Sequence, residues 1–262
     1  MAIALDPLLG LAQSLAADAA ALLAERLDEP RSEVRTKSSP TDMVSEVDHA
    51  SERLIVDGIR RARPDDGILS EEGASAEGST GLRWVIDPLD GTTDFLYGHP
   101  GFAVSIAVER EGRTVVGVVH DPVHEEVFTA IRGGGAARNG ASIAPSGATE
   151  LASALVATGF AYEPERRRAQ ARALTEILPR VRDIRRMGAA AVDLCSVACG
   201  RVDAYFERGL NHWDLAAGAL IAEEAGALVA RLEPNPAAPD GIVAATPAVL
   251  EPLRALLAEA GA

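Results

Sequence analysis

The chain has 262 residues, and its 25 basic residues against 39 acidic ones give a formal net charge of −14 at pH 7. Such a charge repels polyphosphates and disfavours a nucleic-acid partner. Apolar residues make up 47% of the chain, which excludes a disordered protein and allows one large domain or two small ones. Of the 25 basic residues 24 are arginines, and the single lysine is Lys37.

Covalent and targeting features predict a cytoplasmic protein that does not enter a membrane. Cys195 and Cys199 are too few for a disulfide framework and, four residues apart, would share one helix face as small buried side chains. The N-terminal segment carries Asp6 and Asp18 and lacks the basic start of a signal peptide. No apolar run approaches the roughly 18 residues of a membrane span.

Hydrophobic periodicity predicts two helices first, then a β-meander, then alternating strands and helices. Up to residue 132 the predicted elements are a helix over 6–27, a helix over 45–63, a loop over 73–82, a strand over 84–87 and meander strands over 102–110, 114–121 and 125–132. From residue 151 onward they are strands over 153–160, 202–207, 227–232 and 241–246 and helices over 165–178, 189–200, 213–226 and 247–260. This order is typical of layered sheets and helices around a shared cleft.

Acidic residues concentrate in three short segments. The sequence DPLDGTTD (87–94) follows a buried strand, and a helix beginning at residue 92 would add free N–H groups that attract a phosphate. Asp87 and Asp90 beside such a turn suit hard cations such as Mg²⁺. Glu71 ends a short apolar segment, and Asp214 begins an apolar helix.

Each of these acidic segments also has an ordinary structural explanation. The 87–94 turn can be an Asx turn in which Asp94 caps the helix, Glu71 and Glu72 can be solvated surface residues, and Asp214 can be a helix cap. Together, however, the three segments supply four carboxylates, enough to bind two cations that clamp a phosphoryl group. The spacing of Asp87 and Asp90 does not fit the D-x-D of haloacid-dehalogenase-type phosphatases, and no P-loop is present.

Four motifs resemble the inositol monophosphatase family, within the Mg²⁺-dependent, lithium-sensitive phosphatases that include fructose-1,6-bisphosphatase. They are KSSPTD (37–42) with Asp48, SEE (70–72), WVIDPLDGTTDF (84–95) and YFERGLNHWDLAAG (205–218). The resemblance implies an α/β fold of the layered α-β-α-β-α sandwich type. It also implies a single domain over 1–262, with an N-terminal part over about 1–145 and a C-terminal part over about 146–262.

The resemblance assigns roles to the acidic residues. The implied ligands of two or three Mg²⁺ ions are Glu71, Asp87, the carbonyl of Leu89, Asp90 and Asp214. Gly91 and Thr92 are expected to donate backbone N–H groups to the phosphate, and Thr92 with Asp48 is expected to deprotonate the attacking water, with Glu71 assisting. Lys37 is expected to act as a counter-charge at this site.

Substrate contacts are implied for a second set of residues, namely Asp90, Gly91, Thr92, Gly188, Ala189, Ala190, Glu207 and Asp214. Ala189 stands where the family carries a hydroxyl residue, and Asp94 stands where it usually carries asparagine. Both departures weaken the assignment of inositol as the substrate, and an extra negative charge at Asp94 is expected to disfavour a highly anionic one.

These observations predict a Mg²⁺-dependent phosphomonoesterase that converts inositol 1-phosphate to myo-inositol and phosphate. Histidinol phosphate, fructose 1,6-bisphosphate and a 3′-phosphoadenosine nucleotide are the alternative substrates. Mn²⁺ is expected to substitute for Mg²⁺, Ca²⁺ and Li⁺ are expected to inhibit, and a homodimer without nucleic-acid or membrane partners is expected. The alternative of another class is a regulatory protein that retains the metal site but acts through partner contacts.

Overall fold

A computed structural model describes residues 4–27, 35–36, 43–234 and 240–262. Lys37 lies outside these residues. The helices in these ranges are α1 (Asp6–Arg26), α2 (Glu46–Ala62), α3 (Thr92–Tyr97), α4 (Pro164–Ile177), α5 (Ala190–Ala198), α6 (His212–Ala225) and α7 (Pro247–Ala260). The strands are β1 (Arg35–Thr36), β2 (Met43–Val44), β3 (Gly67–Ser70), β4 (Ser75–Ala76), β5 (Leu82–Asp90), β6 (Ala103–Arg110), β7 (Arg113–Asp121), β8 (Glu126–Ile131), β9 (Gly135–Arg138), β10 (Ala141–Ser142), β11 (Leu155–Thr158), β12 (Asp183–Arg185), β13 (Ala204–Arg208), β14 (Leu228–Arg231) and β15 (Gly241–Ala245).

Two large sheets organise the described chain, besides the short β1–β2 pair. The first has the strand order β10-β9-β8-β7-β6-β5-β3-β4 and is antiparallel except between β3 and β5. Its centre is the predicted meander. The second has the order β12-β11-β13-β15-β14, with parallel pairs on one side of β13 and antiparallel pairs on the other.

Five layers follow from where each helix buries its apolar side. Helices α1 and α2 cover the outer face of the first sheet, where Leu23 and Ile55 pack with Trp84. Helices α5 and α6 lie between the two sheets, and α4 and α7 cover the outer face of the second sheet. The α-β-α-β-α prediction is therefore confirmed. The division near residue 145 stays a prediction, with the first sheet before it in the chain and the second after it.

Two sequence predictions about local structure need correction. The segment 73–82 is not loop throughout, because β4 pairs there with β3 and β5 begins at Leu82. Strand β5 runs nine residues, well beyond the predicted 84–87, and reaches into the acidic turn. The strands that sequence reasoning missed, such as β4, β9 and β10, have only two to four residues each and are too short to show a period.

Helix α1 corrects the expectation that no segment could span a membrane. By length and composition alone this 21-residue helix could do so, since an 18-residue window of it has a mean hydropathy of 1.4. One such helix is weak evidence, because the core helix of a water-soluble domain passes the same test. The residues of α1 buried in the protein are Leu8, Ala12, Leu15, Ala16, Ala19, Ala20 and Leu23. We therefore assign α1 to the core.

Candidate active site

A β-bulge brings two of the acidic residues to the same side of the first sheet. Asp87 pairs with Ser105 and Asp90 with Ala103, so three steps along β5 face two steps along β6. In a regular strand, residues three apart point to opposite faces, and the one extra residue in β5 reverses that. Asp87 and Asp90 consequently line one cavity of about 320 Å³.

Hydrogen bonds fix the conformation of the bulged turn. The backbone N–H of Leu89 donates to Asp87 Oδ1 at 3.1 Å, which is the Asx turn considered as the structural alternative. From α2, the Ser51 hydroxyl donates to the carbonyl of Pro88 at 2.8 Å. The Asx turn and the cavity-lining role therefore coexist in Asp87, because the turn also orients its carboxylate.

Gly91 connects β5 to α3 in a conformation that requires glycine. Its φ of +89° lies in the left-handed region, and a Cβ there would come 3.1 Å from the carbonyl oxygen of Gly101 and 3.2 Å from the Cβ of Ala189. Gly91 and Thr92, where α3 begins, both line the cavity.

Two other carboxylates are third residues of helices, where they complete capping boxes. At α2, the backbone N–H and hydroxyl of Ser45 donate to Asp48 Oδ2 at 2.8 and 2.5 Å. At α6, the backbone N–H of Asn211 donates to Asp214 Oδ2 at 2.7 Å. The N-cap of α6 is therefore Asn211, and Asp214, predicted as the cap, takes part from the third position of the helix and also lines the cavity.

A buried hydrogen bond joins Thr92 to Asp48. The Thr92 hydroxyl lies 2.9 Å from Asp48 Oδ1 and 3.2 Å from the carbonyl oxygen of Leu89. Asp48 is fully buried and is not among the residues that line the cavity, so Thr92 stands between this carboxylate and the cavity. Burial raises the pKa of Asp48, against the effect of the hydrogen bonds from Ser45 and Thr92.

The cavity carboxylates repel one another. Burial raises the pKa of Asp87 well above its usual range, and the charges of Glu71, Asp90 and Asp214 raise it further. The pKa of Asp90 is raised in the same way by burial and by Asp214, although the Ala191 N–H donates to its Oδ2 at 2.6 Å. Glu71 reaches this group because β3 and β5 run in parallel and end side by side.

These carboxylates fit a hard divalent cation by chemistry. All are oxygen donors, the ligands that Mg²⁺ prefers, and their mutual repulsion is what bound cations would offset. Within the described residues no three His, Cys, Asp or Glu side chains already stand in an arrangement that could hold a metal ion. The carboxylates therefore line one cavity and give it a negative charge, but their oxygen atoms are not already arranged around a single metal position.

The comparison with known families agrees with this geometry. The sequence profile described as "Inositol monophosphatase family" matches residues 4–261. The chain belongs to the inositol monophosphatase family. Members of this family generally depend on Mg²⁺.

Individual relatives cover nearly the whole chain. The inositol-1-monophosphatase of Mycobacterium bovis is 44% identical over an alignment of 266 positions, gaps included, that covers 94% of this chain and 91% of the relative. The Nus factor SuhB of Pasteurella multocida is 44% identical over 227 residues, 86% of this chain and 85% of the relative. The crystal structure of the extragenic suppressor protein SuhB from Bartonella henselae matches with a TM-score of 0.89 at 36% identity, covering 96% of this chain and 98% of that one. The family and fold predictions are confirmed, and the predicted phosphomonoesterase class is that of the Mycobacterium bovis relative.

The substrate residues implied by the family resemblance lie at the cavity with one exception. Gly188, Ala190 and Glu207 line it, whereas Ala189 is only 1% exposed and packs against Gly91.

Glu207 is fixed by the Tyr205 hydroxyl, which donates to its Oε2 at 2.8 Å. Burial raises the pKa of Glu207, against the effects of Tyr205 and of the Arg186 charge.

Sequence reasoning missed two arginines of this inositol monophosphatase cavity. Arg166 and Arg186 line it together with Tyr162 and Trp213. Arg166 belongs to the arginine-rich first half of α4, and its place at the cavity adds a positive charge that attracts anions. Burial raises the pKa of Asp94, and the charge of Arg186 opposes that rise, so the negative charge expected at Asp94 has a neighbouring cation.

Two segments, the histidine pair in HDPVH (120–124) and the glycine run GGG (133–135), have residue types that also occur in metal and phosphate sites, but their contacts here are structural. His124 Nδ1 lies 2.7 Å from Asp121 Oδ2 in the turn after β7, so this histidine completes a turn. The glycine run at the start of β9 donates two N–H groups, from Gly133 and Gly135, to the carboxylate of Glu224 at 2.9 and 3.0 Å. That loop therefore binds a carboxylate of its own chain.

Proposed function

We propose that this protein hydrolyses small phosphate monoesters and that inositol 1-phosphate, converted to myo-inositol and phosphate, is its main substrate. The observation that carries the proposal is a single cavity lined by Glu71, Asp87, Asp90 and Asp214, with the Thr92–Asp48 hydrogen bond at its wall. Full-length similarity to a protein named inositol-1-monophosphatase supports the choice of substrate.

The residues that would hold Mg²⁺ are Glu71, Asp87, the Leu89 carbonyl, Asp90 and Asp214. When bound, two or three Mg²⁺ ions per subunit supply positive charge that attracts the phosphate and acidifies water. Mn²⁺ would substitute for Mg²⁺, whereas Ca²⁺ and Li⁺ would inhibit. Lys37 would add a fixed positive charge beside these carboxylates.

Proton transfer falls to Thr92 and Asp48. The Thr92 hydroxyl donates its proton to Asp48 and accepts one from the attacking water, whose oxygen forms the new bond to phosphorus. The raised pKa of Asp48 suits a group that takes up a proton. The bond between phosphorus and the ester oxygen breaks on the opposite side, and the released alcohol takes up a proton from solvent. The N–H groups of Gly91 and Thr92 would bind the phosphate oxygens.

Recognition of the alcohol falls to the far side of the cavity. Glu207 would accept hydrogen bonds from substrate hydroxyl groups, and the backbone at Gly188 and Ala190 would line the ring. Ala189 carries no hydroxyl and packs away from the cavity, so this chain would make fewer side-chain contacts to the ring than the family pattern implies.

Gly159→Ala tests the placement of Glu207. A Cβ at this position would come 1.9 Å from Glu207 Oε2, so the carboxylate must move. Losing one hydrogen bond to the substrate is worth about 1.4 kcal/mol, and we therefore expect KM for inositol 1-phosphate to rise about tenfold with a smaller change in kcat. Gly147→Ala is the matched control, since its Cβ would meet no atom within 4 Å. Equal KM values in the two variants would contradict the role given to Glu207.

A second candidate function comes from the relative named Nus factor SuhB. At 44% identity to this chain, it shows that the fold also serves proteins named for another role. In that case the protein would act through partner contacts while retaining the cavity. For either function we propose a cytoplasmic homodimer without a membrane partner, and the net charge of −14 disfavours direct binding to nucleic acid.

A phosphate-release panel decides between the candidates. The protein is assayed with Mg²⁺ on inositol 1-phosphate, histidinol phosphate, fructose 1,6-bisphosphate and 3′-phosphoadenosine 5′-phosphate. We expect the highest kcat/KM on inositol 1-phosphate and inhibition by millimolar Li⁺. A higher kcat/KM on another ester would replace the substrate, and no turnover above that of the Asp90→Asn variant on any ester would favour the regulatory role.

A further inference from the structure

A buried carboxylate away from the cavity joins the elements that carry the cavity aspartates. Glu109 on β6 is 1% exposed. Its Oε2 accepts from Arg83 Nε at 2.9 Å and Nη2 at 2.5 Å, and its Oε1 lies 2.6 Å from His212 Nε2. Although burial opposes ionisation, these two partners lower the pKa of Glu109, so the carboxylate is ionised and His212 is the donor.

The partners of Glu109 belong to the two segments that meet at the cavity. Arg83 lies on β5 four residues before Asp87, and on the same face of the strand because side chains alternate. His212 is the first residue of α6, two before Asp214. One carboxylate therefore links the strand that carries Asp87 to the helix turn that carries Asp214.

This link opposes a force that the cavity creates. The charges of Asp214, Asp87 and Asp90 repel one another across the space between α6 and β5. The capping box sets Asp214 relative to its own helix, but it does not attach that helix to the sheet. The contact between His212 and Glu109 does attach it, at the first turn of α6.

We propose that Glu109 and His212 are positioning residues that hold the first turn of α6 against the first sheet, so that Asp214 meets the same Mg²⁺ as Asp87 and Asp90. The inference rests on the proposed function only through the metal site. Neither residue lines the cavity, so both act through Asp214.

The test compares His212→Ala and His212→Gln in the full-length protein. The amide nitrogen of glutamine can occupy the place of the imidazole Nε2 and restore the donor to Glu109. His124→Ala is the matched control, because His124 is a half-exposed histidine on a buried aspartate, as His212 is on a buried glutamate, and lies away from α6. The readouts are the Mg²⁺ dissociation constant by titration calorimetry without substrate, and the melting temperature in EDTA.

We expect His212→Ala to weaken Mg²⁺ binding about tenfold, the lower end of the effect of residues that orient metal ligands. His212→Gln and His124→Ala should stay within about twofold of the parent protein, since both keep the link between α6 and β6. Unchanged binding in His212→Ala, an equal loss in His124→Ala, or no recovery in His212→Gln would overturn the inference, as would a parent protein that binds no Mg²⁺. Because no substrate is present, a failure on every phosphate ester leaves this result interpretable and counts only against the proposed function.

Discussion

Replacing Asp90 by asparagine is expected to abolish phosphatase activity while leaving the fold intact. Asparagine keeps the shape and an oxygen that can accept from the Ala191 N–H, the contact that fixes Asp90 at 2.6 Å. It removes the charge that would bind Mg²⁺. We expect kcat/KM to fall at least about 10³-fold, which is about 4 kcal/mol of transition-state stabilisation.

Asp214→Asn separates a structural role of the site aspartates from a role in binding Mg²⁺. Asparagine at 214 can still accept from the Asn211 N–H, so a residue that only caps α6 would tolerate the change. We expect the loss of activity to match that of Asp90→Asn, with circular dichroism and the melting temperature in EDTA retained. Glu126→Gln removes an ion pair with Arg201 outside the cavity and should stay near the parent activity. Turnover retained in either aspartate variant would contradict the two-cation assignment.

Much of the fold follows from local patterns. The helical spacing of apolar residues in α1 and α2 reflects one buried face on each helix, whereas β6 is buried on both faces and shows a nearly continuous apolar run. The short strands and the bulge in β5 leave no comparable signal. The bulge explains why Asp87 and Asp90 share a side, and it depends on pairing with β6, which the sequence around the turn does not reveal.

The site was partly predictable for a related reason. Asp48 and Asp214 are recognisable in the sequence as the third residues of capping boxes, which run from Ser45 to Asp48 and from Asn211 to Asp214. That pattern predicts the first residue of both helices. The contact of Glu109 with His212 joins residues 103 positions apart, and Arg186 reaches the cavity from an irregular segment after β12. Such contacts depend on how layers stack, so a single sequence carries little trace of them.

The stability of the metal-free protein is expected to fall as pH rises above the ordinary aspartate range of about 4. Burial raises the pKa values of Asp87, Asp90 and Asp193 in the folded state. Between the unfolded and folded pKa values the folded state binds more protons, so raising the pH favours unfolding. The contribution of these aspartates to the free energy of unfolding is most favourable below their pKa in the unfolded state. It is lost as the pH rises through their higher pKa in the folded state.

Mg²⁺ should remove much of this dependence, because cations stabilise the ionised carboxylates that protons otherwise neutralise. Urea unfolding at pH 5 and pH 8, each with EDTA or with Mg²⁺, measures the effect. Comparing the EDTA and Mg²⁺ samples at the same pH cancels the contribution of titratable groups outside the site. Asp66 is one such group, and its partners lower its pKa despite burial. Mg²⁺ at 100 times its dissociation constant should add about 2.7 kcal/mol to the free energy of unfolding.

Asp90→Asn should reduce both the pH dependence in EDTA and the gain from Mg²⁺, since it removes one of the repelling charges that create them. A gain from Mg²⁺ that is the same in this variant as in the parent protein would place the stabilising cation elsewhere.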